Sequence, residues 1–241
     1  MIQKLTLPML AVLLASCSPL APLPNHNKYF MLSPISQDSV STQAASLDKQ
    51  IAIGIGPIDF PDYIRRPEVI TRTAPNRIEV SDDNRWAGPL DKNFTRVLSE
   101  NLSTLLNTQL VQSYPWNRLS PVDYQVAVDV QQFDSNGKQA TLIARWSIRD
   151  GRSGKDIYAT ETTSTAQVAA GAEGTSAALS ANVGTLSREI AAQIVPLGHH
   201  AESTISVRSV SLSRNLRLSP RRLGSSISDC GANDFGQDPA A

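Results

Sequence analysis

The sequence predicts an α+β fold, a two-layer sandwich of a mainly antiparallel sheet packed against two long amphipathic helices. Two stretches alternate apolar and polar residues, and they flank an Asn136-Gly137 pair, which is typical of a β-hairpin turn. Two other stretches repeat apolar residues at spacings of three and four, the period of a helix with one buried face. One-sided helices and a one-sided sheet bury each other most simply as two layers.

Short runs rich in β-branched and aromatic residues predict the strands. These runs are 28–32, 51–55, 68–73, 77–81, 124–131, 142–149 and 157–168. The first helix is predicted from Leu90 to Leu110, because Gly88-Pro89 suits a helix start and the apolar period changes there. The second helix carries its apolar residues from Leu179 to Ile194, and Pro196 predicts its end.

The N-terminus carries the pattern of a bacterial lipobox. Lys4 precedes an apolar run that ends in Leu14-Ala15-Ser16-Cys17, and this run is shorter than the roughly 20 apolar residues that span a bilayer. Similarity to lipoprotein signals implies thioether lipidation of Cys17 and cleavage before it, and Ser18 in place of an aspartate favours the outer membrane. An ordinary secretory leader with an incidental cysteine is the alternative.

Composition divides the chain into four segments. We expect a lipoprotein signal peptide at 1–16, the lipidated cysteine and a proline-rich tether at 17–27, a folded domain at 28–196, and a flexible or disordered tail at 197–241. A strand at 205–210 is the alternative for part of the tail. Cys230 has no cysteine partner in the mature chain, so the fold has to be stabilised by its core rather than by a disulfide.

The charge balance and the histidines argue against two classes of function. Lys and Arg number 22 and so do Asp and Glu, which leaves no basic field for nucleic acid. The three histidines, His26, His199 and His200, all lie outside the predicted domain, so no catalytic residue, metal site or cofactor is predicted. Gly54-Ile55-Gly56 is followed by Pro57 and lacks the third glycine of a phosphate-binding loop.

Residues 55–72, IGPIDFPDYIRRPEVITR, resemble the signature of the ABC-type transport auxiliary lipoproteins, the family that includes paraquat-inducible protein C. Further blocks of residues similar to the family's blocks are 29–32, 76–80, 85–90, 114–116, 123–126 and 144–148. The resemblance identifies 28–196 as the family's domain, and it has no counterpart for the tail from about Leu197 onward.

This resemblance implies a non-catalytic periplasmic lipoprotein held at the outer membrane by its lipid. It also implies two partners, a mammalian-cell-entry domain protein and an integral inner-membrane protein, in lipid transport between the two membranes. Self-association into a homo-oligomer is a further expectation, because an exposed sheet edge permits it.

Aromatic and arginine side chains single out a candidate partner interface. In the proline-rich segment 57–72 they combine rigid backbone with the residue types that interface centres favour, and a loop at 114–116 adds two aromatics. The candidates are Phe60, Tyr63, Arg65, Arg66, Arg72, Tyr114 and Trp116. In the alternative interpretation Phe60 and Tyr63 plug the edge of the sheet and the arginines are only solvated. Trp86 is interpreted as packing on the first helix and Trp146 as a core residue.

Two classes of function therefore follow from the sequence. The preferred one is a tethered adaptor that docks onto a lipid-conducting protein. The alternative is an autonomous lipid carrier with its own apolar pocket between helix and sheet, and a cell-envelope hydrolase comes third.

Overall fold

The computed structural model describes residues 26–36, 51–116 and 121–214. The surroundings of the side chains are described as far as residue 197. Contacts divide the chain into two units, Met1–His199 and His200–Ala241, and the first holds the sheet. The lipobox, Cys17 and Cys230 lie outside the described residues. No helix in the described part of the chain is both long enough and apolar enough to cross a membrane.

Eight strands form one mixed sheet. They are β1 (Lys28–Phe30), β2 (Ile53–Asp59), β3 (Glu68–Ala74), β4 (Arg77–Trp86), β5 (Val111–Ser113), β6 (Tyr124–Ser135), β7 (Gln139–Asp150) and β8 (Asp156–Gln167). Strand β6 pairs with β7 along one side, and β8 extends the sheet beyond β7. On its other side β6 pairs with β2 near its start and with β3 near its end, so the sheet divides there into two branches, β2-β5 and β3-β4-β1.

The predicted α+β class is confirmed, and the longest strand pairs are antiparallel as expected. The hairpin of β6 and β7 turns at Asn136 and Gly137, and Gly137 has the positive φ (84°) that this turn requires. Four pairs of strands are parallel, which the sequence did not predict: β1 with β4, β2 with β5, β2 with β6, and β3 with β6. Apolar alternation is the same in both directions of pairing, so it could not distinguish them.

Helix α1 spans Leu90–Leu105 and helix α2 spans Gly171–Arg214. The predicted end of the first helix at Leu110 is wrong, because Leu106 closes the helix and Asn107 takes a left-handed conformation (φ 47°), which asparagine tolerates. Leu110 instead lies next to β5, where its carbonyl oxygen accepts the N–H of Ile53.

The predicted end of the second helix at Pro196 is also wrong, and so is the strand proposed for 205–210, because α2 continues through both. A proline inside a helix removes one hydrogen bond and crowds one carbonyl, at a cost of about 3 kcal/mol, which raises the free energy of the helix without forbidding it. The sheet holds the helix at this point, since the Tyr124 hydroxyl donates to the carbonyl oxygen of Leu197 (3.0 Å). The domain boundary at 196 stays a prediction.

The core is one apolar cluster that contains residues of the sheet and of both helices. Alternate residues of β6 and β7 are buried, among them Val126, Val128, Leu142 and Trp146, and they belong to one apolar cluster with the buried faces of α1 and α2. The core position predicted for Trp146 is confirmed.

Three phenylalanine rings, Phe60, Phe94 and Phe133, meet edge to face within this core, with centroids 5.2 to 6.5 Å apart. Edge-to-face packing adds to the free energy that burial itself contributes. These rings join the start of α1, the end of β6 and the segment after β2.

We expect Phe133→Ala to lower the free energy of unfolding by about 3–5 kcal/mol, because it empties a site between two other rings that cannot easily collapse. Val80→Ala, at a position that is 41% exposed, is the control and should change it by about 0.5 kcal/mol or less. Urea unfolding followed by circular dichroism measures both. Equal effects of the two substitutions would show that Phe133 is not part of the core.

Candidate functional site

The segment between β2 and β3 holds four of the seven predicted interface residues, and Arg72 lies on β3. It contains a single 3-10 turn, Asp62–Ile64, between Pro61 and the start of β3. Phe60 and Ile64 point into the core, with 6% and 2% of their surface exposed. The burial of Phe60 favours the interpretation in which it plugs the sheet.

Tyr63 and Arg72 meet at a carboxylate. Arg72 donates from Nε (2.9 Å) and Nη2 (2.6 Å) to Oδ2 of Asp134, and the Tyr63 hydroxyl donates to the same oxygen (3.1 Å). Gln132 Nε2 donates to the other oxygen (2.9 Å). The Asp134 side chain is 1% exposed and that of Arg72 is 26% exposed, so this is a largely buried ion pair with its carboxylate fully hydrogen-bonded.

The electrostatics of the two partners agree with this geometry. Burial raises the pKa of the Tyr63 hydroxyl, and the negative charge of Asp134 raises it further. The hydrogen bonds to Asp134 raise the pKa of Arg72. Tyr63 therefore stays protonated and Arg72 stays charged at neutral pH, and the Arg72 guanidinium also lies 5.5 Å from the centre of the Tyr63 ring.

Arg65 and Arg66 are presented to solvent. Both are exposed, and they lie between the 3-10 turn and β3. Arg66 Nε lies 3.7 Å from Oε2 of Glu68, a long contact, while the other oxygen of Glu68 accepts a closer one from Arg85 (3.1 Å). The segment thus displays two arginines on backbone that is fixed at both ends, by Phe60 on one side and by the Arg72 ion pair on the other.

The other two predicted residues form a separate cluster beside β2. The rings of Tyr114 and Trp116 contact each other edge to face, with centroids 5.5 Å apart. Tyr114 is 58% exposed and Trp116 is partly buried.

This cluster also explains the glycines of β2. A Cβ on Gly54 would lie 2.8 Å from the Trp116 ring, and one on Gly56 would lie 2.7 Å from Cβ of Tyr114. The glycines make room for the aromatic side chains that follow β5.

Asp134 is the residue of the site that the sequence did not reveal. It falls between the predicted strands 124–131 and 142–149, beside the Asn136-Gly137 turn, where aspartate is common and needs no partner. The described residues contain no group of three or more His, Cys, Asp or Glu side chains that could hold a metal ion. Trp86 is 6% exposed and lies in the same core cluster as Leu90 of α1, as its interpretation as a packing residue requires.

Comparison with known proteins gives one matching family. A family model described as "ABC-type transport auxiliary lipoprotein component" matches residues 30–191, well over half of the chain. The Intermembrane transport lipoprotein PqiC of Escherichia coli (strain K12) and that of Shigella flexneri are each 29% identical to the chain over 89 residues. This alignment covers 37% of the chain and 46% of each relative, so the chain spans about half the length of the curated relatives it matches.

Solved structures show the same fold. A Xanthomonas campestris protein has a TM-score of 0.59 at 12% identity, over 73% of this chain and 99% of that one. A crystal structure of an uncharacterized protein has a TM-score of 0.56 at 20% identity, over 70% of this chain and 98% of that one. At these identities the likeness concerns the fold.

We expect Arg72→Met to lower the free energy of unfolding by about 3 kcal/mol, because it leaves the Asp134 carboxylate buried without its cation. Arg145→Met is the matched control. Arg145 pairs with Glu161 on the surface, with the two side chains 66% and 47% exposed, and should contribute no more than about 1 kcal/mol.

A double substitution, Arg72→Met with Asp134→Leu, separates the charge from the packing. It should recover part of the loss, since the uncompensated carboxylate is gone. Chemical denaturation of the wild type, the single variants Arg72→Met and Asp134→Leu, and the double variant completes the cycle. An Arg72→Met protein as stable as the Arg145→Met protein would contradict a structural role for the ion pair.

Proposed function

The chain belongs to the ABC-type transport auxiliary lipoprotein family, and from this premise we propose that it is the adaptor of an intermembrane lipid transport system. In this proposal Cys17 anchors it in the outer membrane, the folded domain faces the periplasm, and the domain binds a mammalian-cell-entry domain protein that works with an integral inner-membrane protein. Family membership supports a non-catalytic auxiliary role. The name of the PqiC relatives, an intermembrane transport lipoprotein, supports the transport step.

The observation that carries the proposal is the fixed display of Arg65 and Arg66. The backbone on either side is held by a core phenylalanine and by a buried ion pair, so little conformational entropy is lost when a partner binds it. Arginine is also among the side chains that contribute most at interface centres. Exposed Tyr114 supplies a second candidate contact beside β2.

The core favours the adaptor over the autonomous carrier. A carrier needs an apolar cavity between the helices and the sheet. In this chain Phe94, Phe133, Leu142 and Leu186, each no more than 1% exposed, belong to the cluster that fills this region. A lipid chain could enter only by displacing side chains whose packing stabilises the fold. The hydrolase is disfavoured by the auxiliary role of the family.

The proposed body is a two-layer sandwich. The single buried face of α1 and the alternate burial along β6 and β7 support it. In that arrangement the opposite face of the sheet and its edge strands are available to a partner or to a second copy of the chain, as a homo-oligomer requires.

The double substitution Arg65→Ser with Arg66→Ser should reduce capture of the mammalian-cell-entry domain protein about tenfold, because two exposed interface arginines are lost. The measurement is a pull-down from membranes with quantitative mass spectrometry. Arg145→Ser with Arg149→Ser, which removes one exposed and one partly exposed arginine from β7, serves as the control. Equal capture by both double variants would overturn the assigned interface, and stoichiometric bound phospholipid without any partner would favour the carrier.

We expect Cys17→Ala to move the protein from the membrane fraction to the soluble fraction, because the lipid is its only proposed anchor. The thermal midpoint of the folded domain should stay within about 1 °C, since Cys17 precedes the predicted domain. Fractionation of cells with immunoblotting measures the first effect and thermal circular dichroism the second. Unchanged membrane association would show that something other than Cys17 holds the protein there.

A further inference from the structure

A small open cavity lies between the end of β1, the end of β4 and the first turns of α1. Its volume is about 240 Å³. Two of its lining residues are cationic, Lys92 and Arg96, and its apolar lining includes Phe30, Met31, Trp86 and Pro89.

The charges that line this cavity are of one sign. Lys92 and Arg96 lie one helical turn apart on α1, a spacing at which like charges repel by a few tenths of a kcal/mol. Arg96 is held in place, since Nη1 donates to Glu100 (2.8 Å) and Nη2 donates to the carbonyl oxygen of Leu32 (3.0 Å). Among the described residues, no carboxylate lies within ion-pair distance of the Lys92 ammonium, and none lines the cavity. Because Glu100 already balances Arg96, Lys92 is the charge that an anion in the cavity would stabilise.

The wall opposite the cations is apolar and open to solvent. Met31 is 54% exposed, Trp86 belongs to the core cluster, Phe30 packs against it, and all three line the cavity. Gly88 on the rim leaves open space, since an added Cβ would meet nothing within 4 Å. A molecule that placed a negative group on Lys92 could therefore lay an apolar portion on Met31 without moving any backbone.

A larger neighbouring groove has no preference for an anionic ligand. Its volume is about 590 Å³, and Lys92 and Arg96 also border it, but so do Asp91 and Glu100. Two cations and two carboxylates leave no preference for the sign of a ligand. The volume of the smaller cavity lies below the usual range for whole ligands, so it suits one polar headgroup and the carbons next to it.

We propose that the cavity bounded by Met31, Trp86, Lys92 and Arg96 binds the phosphate of an anionic phospholipid, with the adjoining carbons on Met31 and Trp86. The positive charge favours the phosphate. The apolar wall favours a molecule in which a hydrocarbon chain is attached to that phosphate. An acidic peptide would leave that wall uncovered. The site shares no residue with the proposed partner interface at Arg65 and Arg66, so either inference can fail without the other.

The test titrates the full chain, carrying Cys17→Ala and labelled with ¹⁵N, with dihexanoylphosphatidylglycerol below its micellar concentration. The amide chemical shifts of Met31 and residues 86–96 should change together.

Lys92→Gln should weaken lipid binding about fivefold, because one exposed charge contact is lost. Met31→Ser should weaken binding of the lipid but not of inorganic phosphate. Lys138→Gln, which removes an exposed lysine from the β6-β7 turn, is the matched control and should change nothing. Thermal midpoints of all variants verify the fold.

The charge and chain requirements are tested separately. Dihexanoylphosphatidylcholine, which has no net charge, should bind at least about fivefold more weakly, and binding of the anionic lipid should weaken as salt rises from 0.05 to 0.5 M. Any of four results would overturn the proposal. They are shifts confined to other residues, unchanged affinity in Lys92→Gln, inorganic phosphate binding as tightly as the lipid, and a hexaglutamate peptide producing the same shifts at the same concentration.

Discussion

The last three residues of β6 are the constraint on which the rest of the structure depends. The branch of the sheet made of β3, β4 and β1 pairs with β6 at Thr71 and Ser135 alone. The neighbouring residues, Arg72 and Asp134, form the buried ion pair, and Phe133 beside them completes the ring cluster with Phe60 and Phe94. Strand pairing, charge and apolar packing thus meet within three residues, and they fix the second branch of the sheet to the first.

The sequence predicted the regular parts of this fold well, because periodicity records which side of an element is buried. The β6-β7 hairpin followed from alternation and from Asn136-Gly137, and the start of α1 followed from Gly88-Pro89. The end of β6 was missed for a physical reason. The pairing of β6 with β7 shifts between Val130 and Gln132, so the alternation changes phase there, and Phe133, Asp134 and Ser135 are all buried. A bulge of this kind leaves no signal in a pattern of period two.

The candidate site was predicted by residue type but not by geometry. Aromatic and arginine residues between prolines indicated that 57–72 was unusual, and the structure separates them by role: Phe60 is buried, Tyr63 and Arg72 bind Asp134, and Arg65 and Arg66 are exposed. No local pattern could assign these roles, because each depends on a contact with a residue far along the chain. The same holds for Gly54 and Gly56, whose small size is explained only by the aromatic side chains at 114 and 116.

A buried ion pair is a costly way to stabilise a fold, since removing two charges from water offsets most of their attraction, and apolar residues of similar size often stabilise as well or better. What the pair adds here is a fixed orientation of the segment between β2 and β3. Oδ2 of Asp134 accepts from the Arg72 guanidinium and from the Tyr63 hydroxyl at once, which determines where the 3-10 turn lies and therefore where Arg65 and Arg66 emerge. Apolar side chains would fill the space without fixing that orientation. For a surface whose proposed task is to meet a partner in one geometry, fixed position matters more than additional stability, and the polar contact supplies it.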